Sequence, residues 1–280
     1  MAHNHKLLLL AAGTSFLFAS CGMGGNKTAS TADSSKPYPA ISMSAVGNSP
    51  EYADAQLAIT SVKADAQGKD SAKVSFDFDV KNYTLGMQTA DTGSKMCNNS
   101  AKGQHIHFIM DNQPYMALYA PKNEVVLANN TEHYLMAFLS RSYHESIKHK
   151  GAAVVYHFKI DEKGKLVKMD EPKTPMIFYS RPKGDYIGKD TANVLLDFYV
   201  WNTTLGDSSM VKAALSNDGM KGHDTSFTIN KWESNFLHNL GQGKTKITLT
   251  LVGKDGKQMD GANTQVSRTI SLYAQEPMKK

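Results

Sequence analysis

The chain has 280 residues, 41% hydrophobic and 20% charged, a balance that excludes extended disorder and leaves room for more than one packed core. Its 31 basic and 26 acidic residues give a formal charge of +5 spread along the whole length, which excludes the concentrated basic patch of a nucleic-acid interface. Only two cysteines, Cys21 and Cys97, are present, so stability must come from packed cores rather than a disulfide framework.

The first twenty residues read as a signal peptide. Lys6 gives a weakly basic start, Leu7 to Leu17 form an apolar run too short to span a bilayer permanently, and Ala19 and Ser20 lead directly into Cys21. This arrangement resembles a bacterial lipobox of the relaxed kind found in Bacteroidota, with Phe18 where Leu is usual. The resemblance implies that Cys21 becomes the lipidated first residue of a membrane-anchored protein. Residues 21–50, rich in Gly, Ser, Thr and Ala at their start, are expected to be a flexible tether. No run of carboxylates follows Cys21, so the expected address is the cell envelope, at the outer membrane and facing the periplasm.

Beyond the tether the chain repeats itself. Gly68 to Gly86 and Gly188 to Gly206 are identical at 12 of 19 positions with a constant offset of 120. A repeat of that length is a duplicated domain rather than a solenoid unit. Val74, Phe76, Phe78 and Val80 alternate with polar residues, and Val194, Leu196, Phe198 and Val200 do the same, the period of a strand with one buried face. The next strand is expected from Gln104 to Met110, matched to His223–Ile229 in the second copy, followed by a turn at Asp111-Asn112-Gln113-Pro114 and a strand from Tyr115 to Tyr119. Leu135, Ala137 and Leu139 match Ile247, Leu249 and Leu251 at an offset of 112, and the last strands are Ala153 to Ile160 and Val266 to Leu272. Many short strands with no helical period predict an all-β chain of two tandem immunoglobulin-like or fibronectin-like β-sandwich domains, over residues 51–162 and 163–280. Trp201 and Trp232 are expected to pack between the domains.

Duplicated domains keep what the fold needs, so polar groups present in one copy and absent from the other are the candidates for function. Ser140 to Gly151 carries Arg141, Tyr143, His144, Glu145 and Lys148 where the second copy has an ordinary Gly-Lys-Asp-Gly-Lys turn. His105 and His107 are likewise absent from the second copy, and alternation sends both to one face of their strand. Two chemistries fit these residues. Arg141 and Lys148, with Ser140, Ser142 and Ser146 as hydroxyl donors, suit an anionic group. His105 and His107, completed by His144 with Glu145 or by His133, suit Zn²⁺ or Cu²⁺, with Cys97, Met96 and Met110 as possible soft ligands. Ser142, His144 and Glu145 have the residue types of a hydrolase triad but stand too close along one segment to form its line, so the chain is read as a binding protein and not an enzyme.

Gly103 to Tyr115 together with Ser140 to Lys148 resemble a group of uncharacterised bacterial envelope lipoproteins, some carried under the label phosphopeptide-binding. The resemblance covers mainly the first domain. It implies recognition of a phosphorylated or otherwise acidic peptide by Ser140, Arg141, Ser142 and His144, with Tyr143, Glu145 and Lys148 beside them. No organic cofactor is expected.

Overall fold

A computed structural model describes residues 39–218 and 223–277. The expected leader, Cys21 and most of the expected tether lie outside the described residues. The described residues form one compact unit. Among the described residues, no helix is long and apolar enough to cross a membrane.

The strands, in chain order, are β1 (Ser42–Ala45), β2 (Gln56–Gln67), β3 (Ser71–Lys81), β4 (His105–Met110), β5 (Met116–Leu118), β6 (Lys122–Ala128), β7 (Thr131–Ser140), β8 (Ala153–Ile160) and β9 (Leu166–Lys168). They continue with β10 (Met176–Arg181), β11 (Asp185–Ile187), β12 (Val194–Trp201), β13 (Ser209–Asn217), β14 (Thr225–Ile229), β15 (Asn235–His238), β16 (Gly243–Gly253) and β17 (Gln265–Tyr273). Four sheets result, ordered β2-β3-β6 and β5-β4-β7-β8-β9 in the first half, and β1-β15-β12-β10 and β11-β17-β16-β13-β14 in the second. Each pair of sheets closes on its own apolar core, so the chain is two tandem β-sandwiches with the fibronectin-like strand order in both.

The duplication is visible down to its irregularities. β2 slips register against β3 between Ile59 and Ser61, and β10 slips against β12 between Tyr179 and Arg181. The bulged residues Thr60 and Ser180 are thus 120 apart, the offset of the sequence repeat.

Three expectations change. Residues 166–168, expected in the second domain, form β9 and pair with β8 on the edge of the first sandwich, so the boundary falls after Lys168. Residues 42–45, assigned to the tether, form β1 and pair with β15 on the edge of the second sandwich, so the chain starts its fold at the far domain before building the near one. The matching of Gln104–Met110 to His223–Ile229 also fails: β4 and β13 occupy the same place, each between a short edge strand and the long strands β7 and β16. Cross-strand pairing sets this register. His105 and His107 lie opposite Ser140 and Phe138, and at those positions the second copy has Met210 and Lys212, opposite Val252 and Thr250. Both imidazoles still belong to the first copy alone.

A third apolar cluster lies between the sandwiches. Ile109, Tyr115, Met136, Phe138 and Val155 of the first pack on Met176, Phe178 and Tyr199 of the second, with Trp201 and Trp232 at its margin as expected. Phe138 and Tyr199 stack at 5.1 Å, an arrangement worth about 0.5–1.5 kcal/mol beyond its area. This seam explains why β4 is buried on both faces: Ile106 and Phe108 point into their own core while His105, His107 and Ile109 point at the seam side.

Candidate metal centre

The segment after β7 is not a free loop. Ser140 and Ser146 bridge, Ile147 N–H bonds back to Leu139 O at 2.9 Å, and a turn closes from His144 N–H to Arg141 O at 2.9 Å. His144 sits at the end of that turn with φ +71°, a left-handed conformation uncommon outside glycine that aims its ring back under the sheet. Ser142 fastens the turn to the 87–103 segment through Thr89 and Thr92. Gly103 completes the packing: a Cβ there would lie 2.5 Å from both Gly86 O and Met87 O, and its own φ is +82°.

The result brings three imidazoles together. His105 Nε2 lies 2.9 Å from His107 Nε2 and 3.1 Å from His144 Nδ1, although His144 is 39 residues away. All three candidate ligand atoms lie within 4.8 Å of one another, and all three residues are buried. His105 Nδ1 is 2.8 Å from Gly103 O, an acceptor only, so that nitrogen carries the proton and Nε2 presents its lone pair to the cluster. His107 Nδ1 contacts Ser180 Oγ of the second sandwich at 2.9 Å.

Burial is the main force on their ionisation. It pulls His105 down to about 4, with the Arg181 and Lys183 charges adding to the fall and the Gly103 carbonyl opposing it. His107 is held well below the usual range by burial and by His105, His144, Arg181 and Lys183. His144 is held there by burial, Arg181, His105 and Lys183. The cluster is therefore neutral at pH 7, the state in which imidazole binds a metal.

The other expected ligands stand elsewhere. His133 faces the opposite side of β7, between Asp111 Oδ2 at 2.7 Å and Thr131 Oγ1 at 2.6 Å. Glu145 pairs with Arg141 at 3.3 Å, Met110 packs in the first core, and the Cys97 thiol is pushed up to about 11 by burial and Glu145.

The groups expected to meet an anion are engaged within the fold. Arg141 Nε and Nη2 donate to Pro50 O at 3.0 and 2.5 Å, and Nη1 donates to Ser146 O at 3.0 Å. Tyr143 donates to Asp91 Oδ2 at 3.3 Å and Ser140 Oγ to Arg141 O at 3.2 Å. Lys148 Nζ reaches Asp197 Oδ1 of the second sandwich at 2.6 Å. A cleft of about 390 Å³ runs past Arg141 and Lys148, but Glu51, Glu145 and Glu233 line it too, with Trp232. An incoming anion would compete with these partners. The hydrolase arrangement is not assembled either, because Ser142 Oγ is held by Thr89 and Thr92 and Glu145 by Arg141.

Sequence reasoning missed three residues that shape the centre: Ser180, Arg181 and Tyr115. Tyr115 stacks on His107 at 3.6 Å and 9°, with its hydroxyl 3.1 Å from His144 Nδ1. Its place directly after Pro114 was the one available signal.

No family model and no curated protein matches the chain. Among solved structures it is similar to the fibronectin(III)-like modules of Clostridium thermocellum CbhA, at 13% identity over 80% of this chain and 98% of that one, with a TM-score of 0.26. A two-domain fibronectin type III segment of chicken tenascin matches at 10% identity over 76% of this chain and 98% of that one, with a TM-score of 0.24. At these TM-scores the fold assignment rests on the strand order, not on the superpositions.

Proposed function

We propose that this chain is a metal-binding protein of the bacterial cell envelope, anchored through lipid on Cys21, in which His105, His107 and His144 hold Zn²⁺ or Cu²⁺. The observation that carries the reading is the convergence of three neutral, buried ring nitrogens, two of them 2.9 Å apart and two 3.1 Å apart. A metal about 2.0–2.1 Å from both nitrogens of either pair subtends an angle of roughly 90–100°, and a set of three protein ligands leaves a further position open. Outer partners support it, since Gly103 O orients His105 and Ser180 Oγ orients His107. The second sandwich then has a role in the site: it covers the centre and supplies Ser180.

Calorimetric titration of Zn²⁺ and Cu²⁺ into the metal-free, full-length protein tests this. One tight equivalent is expected, and Ser180→Ala should weaken it about 10–100-fold without lowering stability comparably. Equal metal uptake by the wild type and by His105→Ala/His107→Ala would remove the reading.

A further inference from the structure

We propose that Tyr115 is a fourth ligand, giving its phenolate oxygen to the metal held by the three histidines; this rests on the metal reading above. The geometry comes first. The Tyr115 hydroxyl is 3.1 Å from His144 Nδ1, the same atom that lies 3.1 Å from His105 Nε2, so the oxygen stands at the edge of the nitrogen cluster rather than behind it. The ring is fixed on both sides. His107 stacks on one face with centroids 3.6 Å apart, and the Lys183 ammonium lies 3.7 Å from the ring centroid, which leaves it the other face. The Arg181 guanidinium is 5.4 Å from the same centroid.

Charge supplies the second argument. Arg181, Lys183 and Arg268 come from the second sandwich to this part of the seam, and none of them forms an ion pair among the described residues. Arg181 Nη1 donates to the Tyr186 hydroxyl, Lys183 to Tyr115 O, and Arg268 to the carbonyls of Ser180, Asn112 and Gln113. Arg181 is 7% exposed and its Nε has no hydrogen-bond partner. The cations press on one another as well, and burial with Arg181 and Arg268 brings the Lys183 ammonium down to about 8. Buried charge of one sign without a counter-charge is costly. A dication placed in the cap adds to that excess unless its own coordination brings an anion, and Tyr115 is the nearest group able to become one. A bound dication favours the phenolate over the phenol at an oxygen that it can reach. On coordination the O–H bond breaks, the proton leaves to solvent, and the oxygen lone pair forms the bond to the metal; no electron changes hands. The resulting three-nitrogen, one-oxygen set suits Cu²⁺.

The test adds Cu²⁺ to the full-length protein without an affinity tag and records the visible spectrum beside copper uptake. The expected result is a tyrosinate-to-copper charge-transfer band that, measured per copper ion bound, is lost in Tyr115→Phe, a variant that keeps the ring between His107 and Lys183. Copper bound by the wild type without such a band overturns the assignment of Tyr115 and leaves the histidine site standing. A band that survives in Tyr115→Phe also overturns it, and points to Tyr119, whose ring centroid is 5.1 Å from that of His105. Copper uptake unchanged in His105→Ala/His107→Ala removes the histidine site and this inference with it.

Discussion

Asp197→Ala is expected to destabilise the folded chain by about 3–5 kcal/mol, the cost of stranding a buried charge by removing its partner. Asp197 is fully buried in β12, and its Oδ1 accepts from Ser146 Oγ at 2.8 Å, Lys148 Nζ at 2.6 Å and Ser234 Oγ at 2.7 Å. Lys148, whose side chain is 14% exposed, has no other carboxylate in contact among the described residues. The duplication provides the control. Asp77 stands 120 residues earlier at the matching place in β3, where no second sandwich covers it, and is exposed. Asp77→Ala should therefore stay within about 0.5 kcal/mol of the wild type. Urea unfolding of the two variants side by side checks the pair; equal effects would mean that the seam network contributes no more than a surface charge does.

The metal-free protein is expected to lose stability as pH falls below about 7. Each clustered histidine has a folded-state value depressed below its unfolded one. Between the two values the unfolded chain binds a proton that the folded chain does not, so stability is complete above the unfolded value and drains away as pH falls. The window for His105 runs from the ordinary value of 6.5 down to about 4, a loss on the order of 3 kcal/mol at its lower end. His107 and His144 are also held well below the usual range by burial and the neighbouring charges, so they add to the loss in the same direction. Denaturant midpoints from pH 8 to pH 5 measure this, and His105→Ala/His107→Ala should show a shallower fall. A midpoint that holds steady or rises toward pH 5 would contradict the buried, neutral cluster.

Alternation was enough to read β3, β4, β12 and the facing of His105 and His107, because a strand's period of two survives any context. It could not bring His144 to them, since that needs a left-handed turn residue and a seam 39 residues away. The charged look of residues 140–151 pointed to an open binding loop; the partners that bury it, Pro50 O and Asp197, lie far off in sequence and one belongs to the other sandwich. Matching β4 to β14 followed shared Gly and Phe identities, whereas the sheet obeys pairing with β7 and β16. β1 is too short, at four residues in a Ser-rich stretch, for its alternation to stand out from a tether.

The central claim is that His105, His107 and His144 bind one metal ion. Its most direct test is elemental analysis of the full-length protein, purified without a polyhistidine tag, incubated with Zn²⁺ or Cu²⁺ and dialysed, beside His105→Ala/His107→Ala treated identically. The prediction is about one ion per chain above the variant's background, a subtraction that removes any ion held by His3 and His5. A folded wild type that retains no more metal than the variant would contradict it.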